Sequence, residues 1–348
     1  MNLSSEQSKA LDLVISNIKN KYYQTVGGYA GTGKSTCLSV LANKYKNFRT
    51  CAFTGKAANV LRKKGIHDAN TIHSTIYVCK EDSKGNIVFD LKRPFERDFD
   101  GLFVDEASMV SEELFDDIMS FNVPVVFFGD HGQLEPIKSN FNLMAKPDIT
   151  LEVIHRNANT IAQFANFLRT GKDAKSFDGF NDIVKIIPKK NVSIKDLSEA
   201  DQVICAFNKT RCSINKKVRD FLGFKQTIEP KDKIICLKNN KHFGIFNGMQ
   251  GNVTNVKGKK LSFVDYDNKK FVVDAFLQQF GMDKLHESAQ NERDVGFFDF
   301  SYAITCHKAQ GDEWDDVIVI EERCDLWEHK RWAYTAASRA KQSILWVV

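Results

Sequence analysis

The chain has 348 residues, of which 43% are hydrophobic and 27% are charged, and its formal net charge is +5. This length predicts two or three domains, and the composition is ordinary for a soluble globular protein with a sizeable core. The modest positive charge permits a nucleic-acid partner without demonstrating one, because a mixed solvated surface gives the same balance. The longest apolar run, at 123–128, is too short to span a bilayer.

The cysteine pattern gives no sign of a metal site or a disulfide framework. The eight cysteines form no CxxC pair, and no histidine stands at zinc-finger spacing from a cysteine pair. Most of them lie in apolar runs, where a free thiol packs as a small hydrophobe. The first residues contain neither a basic leader nor an apolar segment. We therefore expect a soluble, cytoplasmic protein with no structural metal and no membrane partner.

The chain begins with an amphipathic helix pattern over residues 3–19. Ser4 and Gln7 have the spacing of a capping box, which offers Gln7 a purely structural role.

The next stretch, GYAGTGKS at 28–35, matches the phosphate-binding loop pattern. Its glycines let backbone N–H groups converge on phosphates, and the following helix points its positive end at them. Lys34 would neutralise phosphate charge, and the Ser35 hydroxyl would ligate Mg²⁺. The alternative is a glycine-rich turn that precedes Lys-Ser by chance, but the flanking strand-like and helical runs favour a nucleoside triphosphate site. Its expected nucleotide-binding residues are Gly31, Thr32, Gly33, Lys34, Ser35 and Thr36.

Continuous apolar runs of strand length follow at 48–54, 101–106 and 123–130, separated by helical patterns. Such runs are typical of parallel strands that are covered on both faces, so the first 150 residues predict an α/β domain. Residues 77–91 differ, because two strand-like arms flank a polar turn. They predict a β-hairpin.

A second α/β set is predicted from strand-like runs at 202–207, 301–311, 316–322 and 343–348. Between the runs at 202–207 and 301–311, residues 231–276 contain short strand patterns broken by turn residues. These patterns predict a small inserted β-barrel. This stretch has nine lysines against four aspartates. A solvated face and a surface that contacts nucleic acid both remain open.

Three polar residues follow predicted strands of the first domain. Asp105 can hold Mg²⁺ through its water shell, and Glu106 can polarise the water that attacks the γ-phosphate. The alternative is that both carboxylates only cap a helix that starts near Ser111. Gln133 can report the presence of the γ-phosphate through its amide, or it can be an ordinary loop glutamine.

Taken in chain order, a series of segments forms a recognisable set. The segments are Gln7, the phosphate loop, FTGKAANVL (53–61), TIHS (71–74), DEAS (105–108), GDHGQLEPI (129–137), IHRN (154–157), YAITCHKAQGDEWD (302–315) and YTAASRAK (334–341). This set resembles the superfamily 1 helicases, most closely their RecD-like and Dda-like branch of phages and bacteria. The resemblance covers nearly the whole chain.

The resemblance implies an α/β fold with two RecA-like parallel-sheet domains. Residues 1–153 would form the ATP-binding domain, with a β-hairpin pin at about 77–91. Residues 154–230 and 291–348 would form the second domain, with a small SH3-like β-barrel inserted at 231–290.

The resemblance also implies ATP and Mg²⁺ as cofactors, bound between the two domains, with Ser35 and Asp105 as metal ligands. Gln7 would read the adenine, Glu313 would contact the ribose, and Gln310 would lie near the same cleft. Two arginines, Arg156 and Arg339, would reach the γ-phosphate from the second domain. The catalytic set is then Lys34, Asp105, Glu106, Gln133, Arg156 and Arg339.

On the nucleic-acid side, the resemblance indicates hydroxyl, amine and imidazole groups along a single-strand channel. These residues are Thr54, Lys56, Thr71, His73, Thr305, His307 and Lys308. For each histidine the alternative is a structural role. Phe89 in the hairpin is the candidate aromatic that stacks on the first base pair, and it can equally pack the hairpin onto its own domain.

The expected activity is that of an ATP-dependent 5′→3′ DNA helicase, acting on single-stranded DNA and single-strand/duplex junctions in replication, recombination or repair. We expect a monomer, with a single-strand-binding or replisome protein as a candidate partner. The alternatives are a superfamily 1 RNA helicase or RNA triphosphatase, an ATPase that clamps single-stranded DNA without unwinding, and a small-molecule kinase.

Overall fold

The computed structural model of the chain describes residues 3–81, 87–134, 141–153, 160–179, 181–240, 242–266, 268–290, 292, 294–325 and 327–348. The chain divides into two compact units, Met1–Ala162 and Gln163–Val348. Among the described residues, no helix combines the length and the apolar character needed to cross a bilayer.

The first unit alternates strands with helices. Its strands are β1 (Tyr23–Gly28), β2 (Phe48–Ala52), β3 (Asn70–Thr71), β4 (Tyr77–Glu81), β5 (Ile87–Leu91), β6 (Gly101–Asp105), β7 (Val125–Gly129) and β8 (Ile149–Leu151). Its helices are α1 (Ser5–Asn17), α2 (Lys34–Lys44), α3 (Gly55–Lys63), α4 (Ile72–Ile76) and α5 (Glu112–Met119), and α6 (Thr160–Arg169) contains the division between the units.

Six of these strands form a parallel sheet in the order β3-β2-β6-β7-β1-β8. The remaining two, β4 and β5, pair antiparallel from Tyr77↔Leu91 to Glu81↔Ile87, which confirms the predicted hairpin.

Residues in the central strands alternate between two hydrophobic clusters. Phe103 of β6 packs in the cluster formed with α1, α2 and α3, whereas Leu102 and Val104 pack in the cluster formed with α4 and α5. Successive side chains of a strand point to opposite faces, so a sheet with apolar cover on both faces needs an unbroken apolar run. The structure thus confirms the α/β prediction for this unit.

The second unit contains the remaining elements. Its strands are β9 (Val184–Ile187), β10 (Gln202–Cys205), β11 (Lys233–Cys236), β12 (Gln250–Lys257), β13 (Lys260–Asp265), β14 (Lys270–Asp274), β15 (Phe298–Phe300), β16 (Ala303–Thr305), β17 (Trp314–Ile320) and β18 (Ala340–Val347). Its helices are α7 (Ile194–Glu199), α8 (Asn208–Phe221), α9 (Cys306–Ala309) and α10 (His329–Ala337). Five strands form a second parallel sheet in the order β16-β10-β17-β18-β9.

An antiparallel sheet is inserted between β10 and β16, with the order β14-β13-β12-β11-β15. A bridge between Ala275 and Gly296 joins its two edges, so the sheet closes on itself as a small barrel does. The last strand, Phe298–Phe300, lies beyond the end expected for the insertion at residue 290. The likeness of this insertion to an SH3 barrel stays a prediction.

The insertion shares one hydrophobic core with the parallel sheet of its unit, since Val203 of β10 belongs to the same cluster as Phe263 of β13 and Phe298 of β15. The run at 301–311, expected to be one strand, divides into β16 and α9. The division falls at Thr305, which is extended and is the residue that precedes the first turn of α9.

Candidate functional site

The predicted ATP-site residues of the first unit lie at one edge of its sheet. The registers Gly27↔Gly129 and Val104↔Phe127 place the carboxyl ends of β1, β7 and β6 side by side. The phosphate loop, Asp105 and the loop that contains Gln133 all follow from this edge, as expected for a ligand site in a parallel sheet. The rings of Tyr29 and His131 have centroids 4.3 Å apart, so the two loops are in contact.

The phosphate loop has the backbone conformation that its glycines permit. Gly31 and Gly33 have φ angles of 85° and 86°, in the left-handed region. A Cβ atom at Gly33 would lie 2.1 Å from Nε2 of Gln7, so a larger residue would displace that side chain and would also strain the left-handed backbone. Helix α2 begins directly afterwards at Lys34, which directs the first N–H groups of the helix toward the loop.

Lys34 and Asp105 form the charged centre of this edge. The Lys34 ammonium donates to the backbone carbonyls of Gly28 and Tyr29, at 3.0 Å for the latter, so it lies across the loop. Burial raises the pKa of the Asp105 carboxyl, and the positive charge of Lys34 acts in the opposite direction. A bound cation can stabilise further the ionised form of a partly buried carboxylate.

Glu106 has an unusual backbone conformation for a non-glycine residue, with φ 55° and ψ 41°. Its N–H donates to Oδ1 of Asp105 over 3.0 Å. Left-handed backbone costs free energy in an L-residue and is often retained where a side chain must be aimed at a ligand. The alternative that Asp105 and Glu106 cap the next helix is wrong, because Ser111 caps α5 through its own side chain.

Gln133 is buried and held by a residue that sequence reasoning did not single out. Asp130 accepts a hydrogen bond from Nε2 of Gln133 over 3.2 Å and another from the N–H of Gly132 over 2.9 Å. Asp130 is itself 1% exposed. Because Asp130 directly follows the buried strand β7, the sequence alone could have indicated that it positions Gln133.

Gln7 forms the predicted capping box and also contacts the phosphate loop. Its Oε1 accepts from the N–H of Ser4 over 3.0 Å, and its own N–H donates to the Ser4 hydroxyl over 3.1 Å. Its Nε2 donates to the carbonyl of Thr32 over 3.1 Å. The role of Gln7 in reading adenine stays a prediction.

The neighbouring Glu6 was not singled out by sequence reasoning. Its two carboxylate oxygens accept from the N–H groups of Glu152 and Val153, over 2.8 and 3.0 Å. The first turn of α1 therefore contacts both the phosphate loop and the segment after β8.

The donor set of this edge fits a nucleoside triphosphate with Mg²⁺. The loop backbone and Lys34 suit phosphate oxygens, whereas Ser35 in the first turn of α2 and Asp105 supply the hard oxygen ligands that Mg²⁺ prefers. Thr32 is fully buried and its hydroxyl donates to the carbonyl of Tyr29 over 2.9 Å, so it shapes the loop.

In the second unit, the structure brings the predicted motif at 334–341 into contact with the one at 302–315. The guanidinium of Arg339 donates to the carbonyls of Thr335 and Asp312, over 3.0 and 3.1 Å, and to the hydroxyl of Ser338 over 2.8 Å. Gln310 is buried and Glu313 is exposed in the same segment as Asp312. Arg156 lies outside the described residues, so its predicted role stays untested.

The first nucleic-acid candidates lie on the other half of the same sheet edge. Ala52 of β2 pairs with Asp105 of β6 on one side and with Thr71 of β3 on the other. Thr54 therefore follows the strand next to Asp105, and Thr71 ends the strand beyond it. Both hydroxyls cap helices, because Thr54 accepts from the N–H of Ala57 and Thr71 from that of Ser74, each over 3.1 Å.

Imidazole and amine candidates in both units are partly buried. His73 stacks on Tyr77 with centroids 5.6 Å apart, and burial lowers the pKa of its imidazole. Burial also lowers the pKa of His307 and that of Lys308, whose ammonium donates to Oδ1 of Asn247 over 2.6 Å. Thr305 is buried at the end of β16. The side chains of Lys56 and Phe89 lie outside the described part of the chain.

Comparisons with known proteins agree with this arrangement. The AAA domain family matches residues 2–187, and the UvrD-like helicase C-terminal domain matches residues 300–348. The ATP-dependent RecD2 DNA helicase of Deinococcus radiodurans is 26% identical over 97% of this chain and 48% of its own length. The ATP-dependent DNA helicase dda of enterobacteria phage T4 is 29% identical over 40% of this chain and 34% of its own. The chain thus spans about half the length, or less, of these two relatives.

Among solved structures, the Pif1 helicase from Bacteroides in complex with ADP-AlF3 and single-stranded DNA has the same fold. It superposes with a TM-score of 0.65 at 19% identity and covers 99% of this chain and 92% of that one. The resemblance to superfamily 1 helicases of the RecD-like and Dda-like branch is confirmed. The chain belongs to the AAA domain family, whose model matches more than half of it, and residues 300–348 are similar to the UvrD-like helicase C-terminal domain.

Proposed function

We propose that this protein is an ATP-dependent DNA helicase that moves 5′→3′ on single-stranded DNA and separates the duplex at single-strand/duplex junctions. The observation that carries the proposal is the carboxyl edge of the first sheet. There Asp105 stands between the phosphate loop on one side and the hydroxyls of Thr54 and Thr71 on the other. A nucleotide site and a phosphodiester site on adjacent strands of one sheet can be coupled by small shifts of that sheet.

The side chains of this edge divide the chemistry of ATP hydrolysis. Lys34 would bind phosphate oxygens, and Ser35 and Asp105 would hold Mg²⁺, which supplies charge neutralisation for phosphoryl transfer. Glu106 would accept the proton of the attacking water, and its fixed backbone would aim the carboxylate. Gln133, held by Asp130, would contact the γ-phosphate or that water. We include Arg156 and Arg339 as γ-phosphate ligands, Gln310 and Glu313 as nucleotide contacts, and Lys56 and Phe89 as DNA contacts on the strength of their motifs.

Two relatives support DNA as the proposed substrate, because both are named as ATP-dependent DNA helicases. Hydroxyl groups at helix starts suit phosphate oxygens, which give affinity for a strand without sequence preference. We also propose that the protein acts in replication, recombination or repair. It would act as a monomer, with a single-strand-binding or replisome protein as its partner.

A strand-release experiment tests the proposal. One fluorescent duplex is prepared with a single-stranded tail at either its 5′ or its 3′ end, and protein, Mg²⁺ and ATP are added. Release from the 5′-tailed duplex alone, absent with Lys34→Ala, is the expected result. Release from the 3′-tailed duplex alone would reverse the proposed polarity, and ATP hydrolysis without release would favour a clamp or a translocase.

The RNA alternative is tested by the ATP hydrolysis of the same protein with DNA and RNA oligomers of one sequence. We expect DNA to stimulate more strongly. A stronger response to RNA would indicate contacts with the 2′-hydroxyl and an RNA helicase.

A further inference from the structure

Two rings join the phosphate loop to the loop that contains Gln133. Tyr29 belongs to the first loop and His131 to the second, and their ring centroids lie 4.3 Å apart at an interplanar angle of 49°. Both side chains are partly exposed. We call Tyr29 and His131 the loop bridge. The roles assigned above from the motifs leave both residues without a function.

Core packing does not account for the loop bridge. Tyr45 and Tyr77 of the same unit pack against its two hydrophobic clusters, but Tyr29 belongs to neither cluster as the described residues define them. The imidazole of His131 lies close to the backbone of β1, because a Cβ atom at Gly27 would be 3.0 Å from its Nδ1 atom. The two rings therefore connect loops at the sheet edge instead of filling the core.

The backbone of Tyr29 anchors the phosphate loop. Its carbonyl oxygen accepts from the ammonium of Lys34 over 3.0 Å and from the hydroxyl of Thr32 over 2.9 Å. The same oxygen accepts from the backbone N–H of Thr32 over 3.2 Å. A displacement of Tyr29 would consequently move the loop and the ammonium together.

The turn that contains His131 is held by its own hydrogen bonds. The carboxylate of Asp130 accepts from the N–H of Gly132 over 2.9 Å and from Nε2 of Gln133 over 3.2 Å. The carbonyl of Asp130 accepts from the N–H of Gln133 over 3.2 Å. Because these bonds fix the turn, the position of the His131 ring determines that of the Gln133 amide two residues later.

We propose that Tyr29 and His131 are positioning residues for ATP hydrolysis. Their contact holds the Gln133 loop against the phosphate loop, so that a γ-phosphate bound by one loop is within reach of Gln133 in the other. This inference rests on the proposed hydrolysis of ATP and adds two residues that act through Gln133. Misplacement of a group by about 1 Å can cost as much as 10²-fold in rate, so a single contact of this kind affects turnover strongly.

Nucleotide affinity separates this role from a general deformation of the phosphate loop. ADP has no γ-phosphate, so its binding does not depend on Gln133. Tyr29→Ala should keep the Kd of fluorescently labelled ADP and weaken the labelled, non-hydrolysable triphosphate AMP-PNP roughly 5-fold, the factor expected for one hydrogen bond. It should also lower the turnover number for ATP by about 10-fold or more. Equal losses of affinity for ADP and AMP-PNP would overturn the proposal.

A double-mutant cycle tests the contact itself. His131→Ala should reproduce the effects of Tyr29→Ala, and the double variant should be no worse than about twofold below either one, because residues that act through one contact are not additive. Tyr29→Phe keeps the ring and should restore turnover. Losses that multiply in the double variant, or a Tyr29→Phe variant as impaired as Tyr29→Ala, would overturn the loop bridge.

Tyr45→Ala is the matched control. Tyr45 has a comparable ring contact in the same unit, with Phe48 at 5.1 Å and 42°, at the far end of α2. It follows Lys34 by eleven residues, roughly 16 Å along the helix. Its substitution should lower the melting temperature and leave the affinities for ADP and AMP-PNP unchanged. A selective loss of AMP-PNP in Tyr45→Ala as well would overturn the assignment to the loop bridge.

The outcomes distinguish this inference from the proposed function. A wild-type protein that hydrolyses ATP with DNA but releases no strand would overturn the helicase proposal, and the selective loss of AMP-PNP in Tyr29→Ala would still support the loop bridge. A folded Tyr29→Ala variant with wild-type turnover would overturn the loop bridge while the helicase proposal stands. A wild-type protein that binds no nucleotide would overturn both.

Discussion

Gln7 donates its side-chain amide to the backbone carbonyl of Thr32, in the middle of the phosphate loop, over 3.1 Å. The same side chain accepts from the N–H of Ser4 and completes the cap of α1. One glutamine therefore links the start of the first helix to the loop that would bind phosphate. A change at Gln7 should act on nucleotide binding even if its amide never contacts the base.

Gln7→Glu keeps an acceptor for Ser4 and removes the donor to Thr32. We expect the KM for ATP to rise roughly 5-fold, because the loss of one hydrogen bond costs about 1 kcal/mol. If the amide only fixes the loop, KM for GTP should rise equally, whereas a loss confined to ATP would assign adenine reading to Gln7. Ser4→Ala is the control: it should lower stability by about 1 kcal/mol and leave both KM values unchanged. An unaltered KM in Gln7→Glu would remove Gln7 from the nucleotide site.

Glu106 combines a proposed chemical role with left-handed backbone. Glu106→Gln should lower the turnover number for ATP by about 10²-fold or more while nucleotide affinity is kept, because the general base is lost. Wild-type turnover in that variant would exclude the role.

The backbone of Glu106 allows a second measurement. Glu106→Gly should be more stable to denaturant than Glu106→Ala by about 1 kcal/mol, since glycine adopts positive φ without strain. Asn122→Gly is the matched control, because Asn122 has φ 52° in a turn of the same unit. It should leave ATP hydrolysis unchanged. Equal stability of the two Glu106 variants would contradict the strained backbone.

Thr54 can be tested for phosphate contact apart from its role as a helix cap. Thr54→Asp keeps a good capping side chain but places negative charge where a phosphate would lie, whereas Thr54→Ala removes the cap and costs about 1 kcal/mol of stability. We expect Thr54→Asp to keep the melting temperature and to weaken oligo-dT binding several-fold, most strongly at low salt. Wild-type affinity in Thr54→Asp would restrict Thr54 to capping α3.

The stability of the second unit should depend on pH through Glu321. Burial acts to raise the pKa of this carboxyl, but hydrogen bonds from His329 and Trp346 dominate and lower it from 4.5 to about 2. The carboxylate thus stabilises the fold fully above about pH 4.5, and this contribution is lost as the pH falls through about 2. Glu321→Gln should reduce the free energy of unfolding at pH 7 by about 1–2 kcal/mol, less than the full shift implies because water still reaches the group. Denaturant titrations at several pH values should show the difference shrinking below pH 4.5; a constant difference would exclude the carboxylate as its source.

The sequence predicted the central strands best, because residues such as Phe103 and Val104 pack on opposite faces of one sheet and leave an unbroken apolar run. Three short edge strands escaped prediction, Asn70–Thr71, Ile149–Leu151 and Val184–Ile187. Each is two to four residues long and includes a polar residue, so its pattern is too short to indicate a strand.

The sequence also did not predict side-chain contacts between residues that are far apart in the chain. Glu6 looked like an ordinary acidic residue in a first helical turn, and its bonds to Glu152 and Val153 need the folded sheet. The contact between the rings of Phe207 and Trp327 has the same origin, because the two residues meet only in the folded second unit. Motif order predicted which residues belong to the site, and tertiary packing decides what holds them.

The inserted sheet begins and ends at neighbouring strands, since Ile235 of β11 pairs with Asp299 of β15. The chain therefore leaves the second parallel sheet and returns to it at nearly one place. Joining Cys205 to Thr305 would be entropically costly across an unfolded loop, but a folded insertion acts as a short connection. The insertion should consequently form early in folding, and the edge strand β16 should be among the last elements of the second unit to join its sheet.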